Sequence, residues 1–118
     1  MTTLYVAGPM RGYDQYNFPA FDAATECLRL AGYDVVSPAE QDRKIGFDPN
    51  STSEFTSADY CAAMRRDIEF LLRVDGIALL PGWEDSAGAQ TEVTVADAIG
   101  IPSQSVEDWL LMKVLEIK

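Results

Sequence analysis

Two acidic residues occupy positions where a soluble helix normally keeps apolar side chains. Asp67 stands three residues after Met64 and four before Leu71, in a stripe that also holds Tyr60 and Val74. Residues three and four apart share one face of a helix, so Asp67 should point inward with that stripe. Glu92 precedes Val95, Ala96 and Ile99 by three, four and seven residues, the same signature on a later helix. Burying an unpaired carboxylate costs roughly several kcal/mol, so such a group is paired, protonated or put to use. Taken singly, Asp67 could form an ion pair beside Arg66 or cap a backbone group, and Glu92 could complement a helix dipole. Two carboxylates facing one crevice are better equipment for splitting a glycosidic bond. One attacks the sugar carbon while the other protonates the departing group.

A second constellation lies at the amino-terminal end. The apolar run Leu4-Tyr5-Val6-Ala7 breaks at once into Gly8-Pro9-Met10-Arg11-Gly12, a strand ending in a glycine-bounded loop. Open α/β sheets bind ligands outside the carboxyl ends of their strands. Arg11 carries a fork of donors suited to a phosphate or carboxylate, although plain surface charge would explain it as well. Ser86 and Gly88 precede a helix whose free amides would welcome an anion. Tyr5 is either a core aromatic or, from the strand end, a hydroxyl orienting a carboxylate. Trp83 and Phe18 could wall a flat slot for a base, or simply pack.

The elements that must position these groups alternate. Short strands are predicted over 3–7, 33–36 and 76–80, and helices over 19–31, 57–73 and 87–99. Pro19 suits a first turn, Gly32 a stop and Ser57 a cap. Residues 37–57 read as a polar lid or binding loop. Residues 101–102 suggest an edge strand. Ser105-Val106-Glu107-Asp108 resembles a capping box opening a last helix to about residue 115, whose run Trp109-Leu110-Leu111-Met112 hints at a buried or subunit-facing surface. The pattern predicts an α/β, three-layer, flavodoxin-like or Rossmann-like parallel sheet of order 2-1-3-4, with room for a fifth short strand and helices on both faces. The crevice then falls between loops 8–17 and 81–88.

Composition narrows the chemistry. The 118 residues suit one domain, 1–118. Histidine is absent, which excludes Ser-His and Cys-His nucleophile pairs and histidine-ligated metals. Acid–base work falls to carboxylates, tyrosine or lysine, and neither a cofactor nor a metal is expected. A net charge of −10 disfavours a nucleic-acid polymer or an anionic membrane as partner. No apolar run approaches the ~20 residues of a membrane span, and Met1-Thr2-Thr3 does not read as a signal peptide. Cys27 and Cys61 are expected as reduced core residues of a cytoplasmic protein.

The residues from Leu4 to Gly12 resemble the opening motif of the nucleoside 2-deoxyribosyltransferase superfamily. The resemblance is strongest to its 2′-deoxynucleoside 5′-monophosphate N-hydrolase branch. The stretch Tyr16-Asn17-Phe18-Pro19-Ala20-Phe21 is similar to uncharacterised, mostly phage-encoded members. The likeness continues through Asp67, Asp75, Ser86 and Glu92 and covers about residues 3–100. It implies Glu92 as the nucleophile forming a covalent deoxyribosyl intermediate at C1′, Asp67 as the group protonating the base, and Tyr5 as the positioner of the nucleophile. It implies Arg11 and Ser86 as phosphate contacts and Gly8 and Gly88 as pocket-shaping residues. Asn17, Phe18 and Trp83 are expected beside the substrate as well. Pro9 stands where the hydrolase branch has a serine, which removes one phosphate contact. The segment Ser86-Ala87-Gly88-Ala89-Gln90-Thr91 is less glycine-rich than usual. The implied activity is N-glycosidic cleavage of a small-molecule nucleoside or nucleotide, with base exchange by a deoxyribosyltransferase and a non-catalytic nucleotide-binding module as alternatives. A homodimer or higher homo-oligomer is implied as well, because relatives often complete the pocket from a neighbouring subunit.

Overall fold

A computed structural model describes residues 1–50 and 55–117. Four parallel strands form its sheet: β1 (Thr3–Ala7), β2 (Asp34–Val36), β3 (Gly76–Leu79) and β4 (Ser103–Ser105), in the spatial order 2-1-3-4. Tyr5 lies opposite Val36 on one side and Ile77 on the other. Both faces of the sheet are covered, which is why β1 and β3 read as unbroken apolar runs. Leu4 and Val6 pack against α1 (Phe18–Leu30) and α5 (Val106–Ile117), through Phe21, Leu28 and Trp109. Tyr5 and Ala7, one residue out of phase, turn to the opposite layer of α3 (Ser57–Leu71) and α4 (Ala87–Ala98), with Leu71, Ala89 and Ala96. This period of two decides which side of the sheet each strand residue serves.

Trp109 locks the α5 layer in place. Its Nε1 donates to the Ile77 carbonyl at 2.7 Å. Gly76 leaves room for the ring, since a Cβ there would come within 2.5 Å of it. Among the described residues no helix is long and apolar enough to cross a membrane.

Several local expectations are corrected. The stretch expected as a polar loop contains α2 (Pro38–Lys44), while its residues 51–54 lie outside the described residues. α2 escapes a search for apolar periodicity because its buried residues are only the adjacent Pro38 and Ala39 at its start, and it is otherwise held to α1 by bidentate pairs of Arg29 with Glu40 and of Arg43 with Asp22. Thr56, not Ser57, caps α3, in a reciprocal capping box with Asp59. The edge strand begins at Ser103 rather than at residue 101. Cys27 and Cys61 are free, as expected, but both are exposed. Cys27 sits just off the buried stripe of Phe21, Thr25 and Leu28, and Cys61 is one step past Tyr60. Ile99 is 48 % exposed; the buried face of α4 is Ala89, Glu92 and Ala96.

Candidate active site

The carboxyl ends of β1 and β3 open into a cavity of about 610 Å³. Its walls come from the loop after β1, the start of α4, the inner face of α3 and residues 42–48. Tyr60, Met64 and Asp67 are only half-buried because the α3 stripe predicted to enter the core faces this hollow.

Glu92 lies one turn inside α4, on the cavity wall and 5 % exposed. The fully buried Tyr5 hydroxyl donates to its Oε2. Burial pushes the Glu92 carboxyl up to about 8; the Tyr5 hydrogen bond pulls it back, and the charge of Asp67 raises it further. Asp67 lies on the facing helix, and burial lifts it to about 7, with Asp42 adding to the rise and Arg66 opposing it. Its Oδ1 is buried without a hydrogen-bond partner. The Asp67 charge is thus one reason, after burial, that the Glu92 carboxyl keeps its proton to higher pH.

The loop side of the cavity is built by backbone geometry. Gly8 is required by close approach: a Cβ there would sit 2.7 Å from Cβ of Leu80. Ser86 is the N-cap of α4, and its Oγ accepts from the Ala89 amide at 3.2 Å, which leaves the hydroxyl proton free to be donated. Gly88 faces Met64 and the Tyr60 hydroxyl across the gap. Arg11 projects over the rings of Phe55 and Tyr60, at 5.1 and 4.8 Å from their centroids. Such stacking holds a guanidinium without consuming its hydrogen-bond donors.

Tyr5, Gly8, Arg11, Phe18, Asp67, Ser86, Gly88 and Glu92 therefore meet in one cavity. Asn17 and Trp83 do not line it. Asn17 turns into its own loop, where Nδ2 donates to the Pro9 carbonyl at 2.9 Å. That bond braces three consecutive left-handed residues, Gln15, Tyr16 and Asn17, a conformation costing roughly 1–2 kcal/mol each. Trp83 packs instead on the core beneath α4. Phe18 touches the cavity, but 99 % of its surface is buried in the opposite core layer.

The family described as "Domain of unknown function (DUF4406)" matches residues 2–104. The chain belongs to that family. No curated protein matches this DUF4406 chain. Among solved structures, that of a 2-deoxyribosyltransferase from the psychrotolerant bacterium Bacillus psychrosaccharolyticus shares its fold, with a TM-score of 0.62 over 86 % of this chain and 69 % of that one, at 19 % identity.

Sequence reasoning missed part of the DUF4406 cavity. Tyr16, Phe47 and Phe55 form a linked aromatic wall, with centroids 5.2 to 6.2 Å apart, in place of the expected Trp83. Asp42 and Arg66 line the cavity too, paired at 3.1 Å. The only advance signal was Arg66 standing next to Asp67.

Proposed function

We propose that this protein cleaves the N-glycosidic bond of 2′-deoxynucleoside 5′-monophosphates through a covalent glutamyl-deoxyribosyl intermediate. The observation that carries this reading is Glu92, held by the Tyr5 hydroxyl in the cavity that also contains Asp67 and the Arg11 loop. The productive form has Glu92 ionised and Asp67 protonated, the less populated placement of a single proton, because Glu92 holds its proton to higher pH than Asp67. With Oε2 bonded to Tyr5, Oε1 attacks C1′. The C1′–N bond breaks, its electron pair passes to the base, and Asp67 delivers a proton to a base nitrogen. Water then attacks C1′ and returns a proton to Asp67, freeing Glu92 and releasing deoxyribose 5-phosphate. The fold shared with a 2-deoxyribosyltransferase favours a second reading, in which another base replaces that water.

The exposed Arg11 and the Ser86 cap at the start of α4 support the monophosphate. Arg11→Ala is expected to weaken a deoxynucleotide by about ten- to a hundredfold and the matching nucleoside hardly at all. Calorimetric titration of both ligands checks this; equal weakening would remove phosphate recognition from Arg11. Chromatography of a mixed deoxynucleotide pool after incubation tests the whole reading. Free bases support it, and a pool left intact counts against it.

Tyr5→Phe keeps the ring and deletes the donor. Because that hydrogen bond lowers the pKa of Glu92, the carboxyl should then hold its proton to higher pH. A hydrogen bond to a charged group contributes roughly 1.5–3 kcal/mol, so kcat should fall about 10- to 100-fold, with the acidic limb of the rate profile moved to higher pH. A limb left in place would show that Tyr5 does not tune the nucleophile.

A further inference from the structure

Among the described residues the cavity wall carries two cations, Arg11 and Arg66. Their settings differ. Arg11 is exposed and stacked on aromatic rings, whereas the Arg66 side chain is one-third exposed and tied down. Its Nη2 donates to Oδ1 of Asp42, reaching from α3 across to α2. The Asp42 side chain is only 14 % exposed, so the ion pair is fixed at the wall rather than waving in solvent. Among the described residues no acceptor takes the remaining amino group, Nη1. An arginine can only donate hydrogen bonds.

This inference rests on the reaction proposed above. If Asp67 hands its proton to the departing base, the base lies against Asp67, and Arg66 is the adjacent cavity residue. Its cation is near enough to oppose the rise in Asp67 proton affinity. In a purine, the ring nitrogen N7 is flanked by the substituent on C6. That substituent is a carbonyl oxygen in hypoxanthine and guanine and an amino group in adenine. A carbonyl accepts from a guanidinium; an amino group turns its own hydrogens toward the donor. We propose that Arg66, positioned by Asp42, is a specificity residue that selects 6-oxopurine over 6-aminopurine deoxynucleotides.

The test compares kcat/KM for 2′-deoxyinosine and 2′-deoxyadenosine 5′-monophosphates, which differ in their purine chiefly at C6. The wild type should favour the oxo substrate by about tenfold or more. Arg66→Gln supplies both a donor and an acceptor, so the ratio should fall toward one. Asp42→Asn keeps Arg66 but loosens it, so a smaller fall is expected there, and that variant serves if Arg66→Gln fails to show a cooperative melting transition. A wild type that prefers the amino substrate, or variants that leave the ratio unchanged, would overturn the assignment. Dissociation constants of the two nucleotides, measured on the wild type and on Arg66→Gln, separate this inference from the catalytic reading. If no base is ever released but the oxo nucleotide binds tenfold tighter through Arg66, selection stands and catalysis falls. If bases are released with equal ease, catalysis stands and selection falls.

Discussion

Glu92→Gln releases no measurable base from any deoxynucleotide, while the nucleotide still binds. That is the expected result, and the reason is local. Glutamine has nearly the same shape, and its amide oxygen can still accept from the Tyr5 hydroxyl that bonds Oε2 in the native protein. What disappears is the negative charge that attacks C1′ in the proposed mechanism. Removing a nucleophile of this kind lowers kcat by roughly a thousandfold or more, with little change in ground-state binding. Product chromatography reads the turnover and calorimetry reads the binding. Base release at the native rate would discard the covalent mechanism. Loss of binding together with turnover would instead mark Glu92 as a ligand contact, as a non-catalytic nucleotide-binding module would require.

The second large effect is on stability. Asp67 is raised from 3.8 to about 7 and Glu92 from 4.5 to about 8, in both cases chiefly by burial. Between pH about 4 and about 8 the folded protein therefore keeps protons that the unfolded chain has already released. Unfolding free energy changes with pH in proportion to protons bound when unfolded minus protons bound when folded. That difference is negative here, so these two groups make the fold less stable as pH rises through the window. The double variant Asp67→Asn, Glu92→Gln removes both titrations. Its stability relative to wild type should climb from near parity at pH 4 to an advantage of roughly several kcal/mol at pH 9. Because Glu40 and Asp59 are lowered and pull the other way, the informative quantity is the difference between the two proteins. Urea unfolding at a series of pH values measures it. Parallel stability curves would show that the carboxyls are not buried as described.

Residues that diverge from expectation share a physical cause. Periodicity reports which face of an element a residue occupies, but not what lies opposite that face. The α3 stripe is one face, as its spacing predicts, yet Tyr60, Met64 and Asp67 face an open hollow rather than the packed core. Trp83 and Asn17 both lie in loops flanking the crevice, where backbone turns rather than periodicity aim the side chain. A left-handed turn sent Asn17 back onto Pro9, and Trp83 found apolar partners under α4. α2 could not be seen because its anchoring depends on charge pairs with a different helix.

From its sequence alone this protein already specified alternating strands and helices, the sheet order, a glycine-bounded loop after β1 and two carboxylates on inward helical faces. The sheet order follows from the handedness of the crossovers, and the rest from local spacing and short-range sterics, which one segment carries by itself. Tertiary structure brings Tyr5 to Glu92 across 87 positions of chain, a meeting that the family resemblance implied, and it alone decided that Asp42 steadies Arg66 and that Phe47 and Phe55 rather than Trp83 wall the cavity. Those contacts join segments brought together only when the helices close over the sheet, and no local pattern encodes that distance.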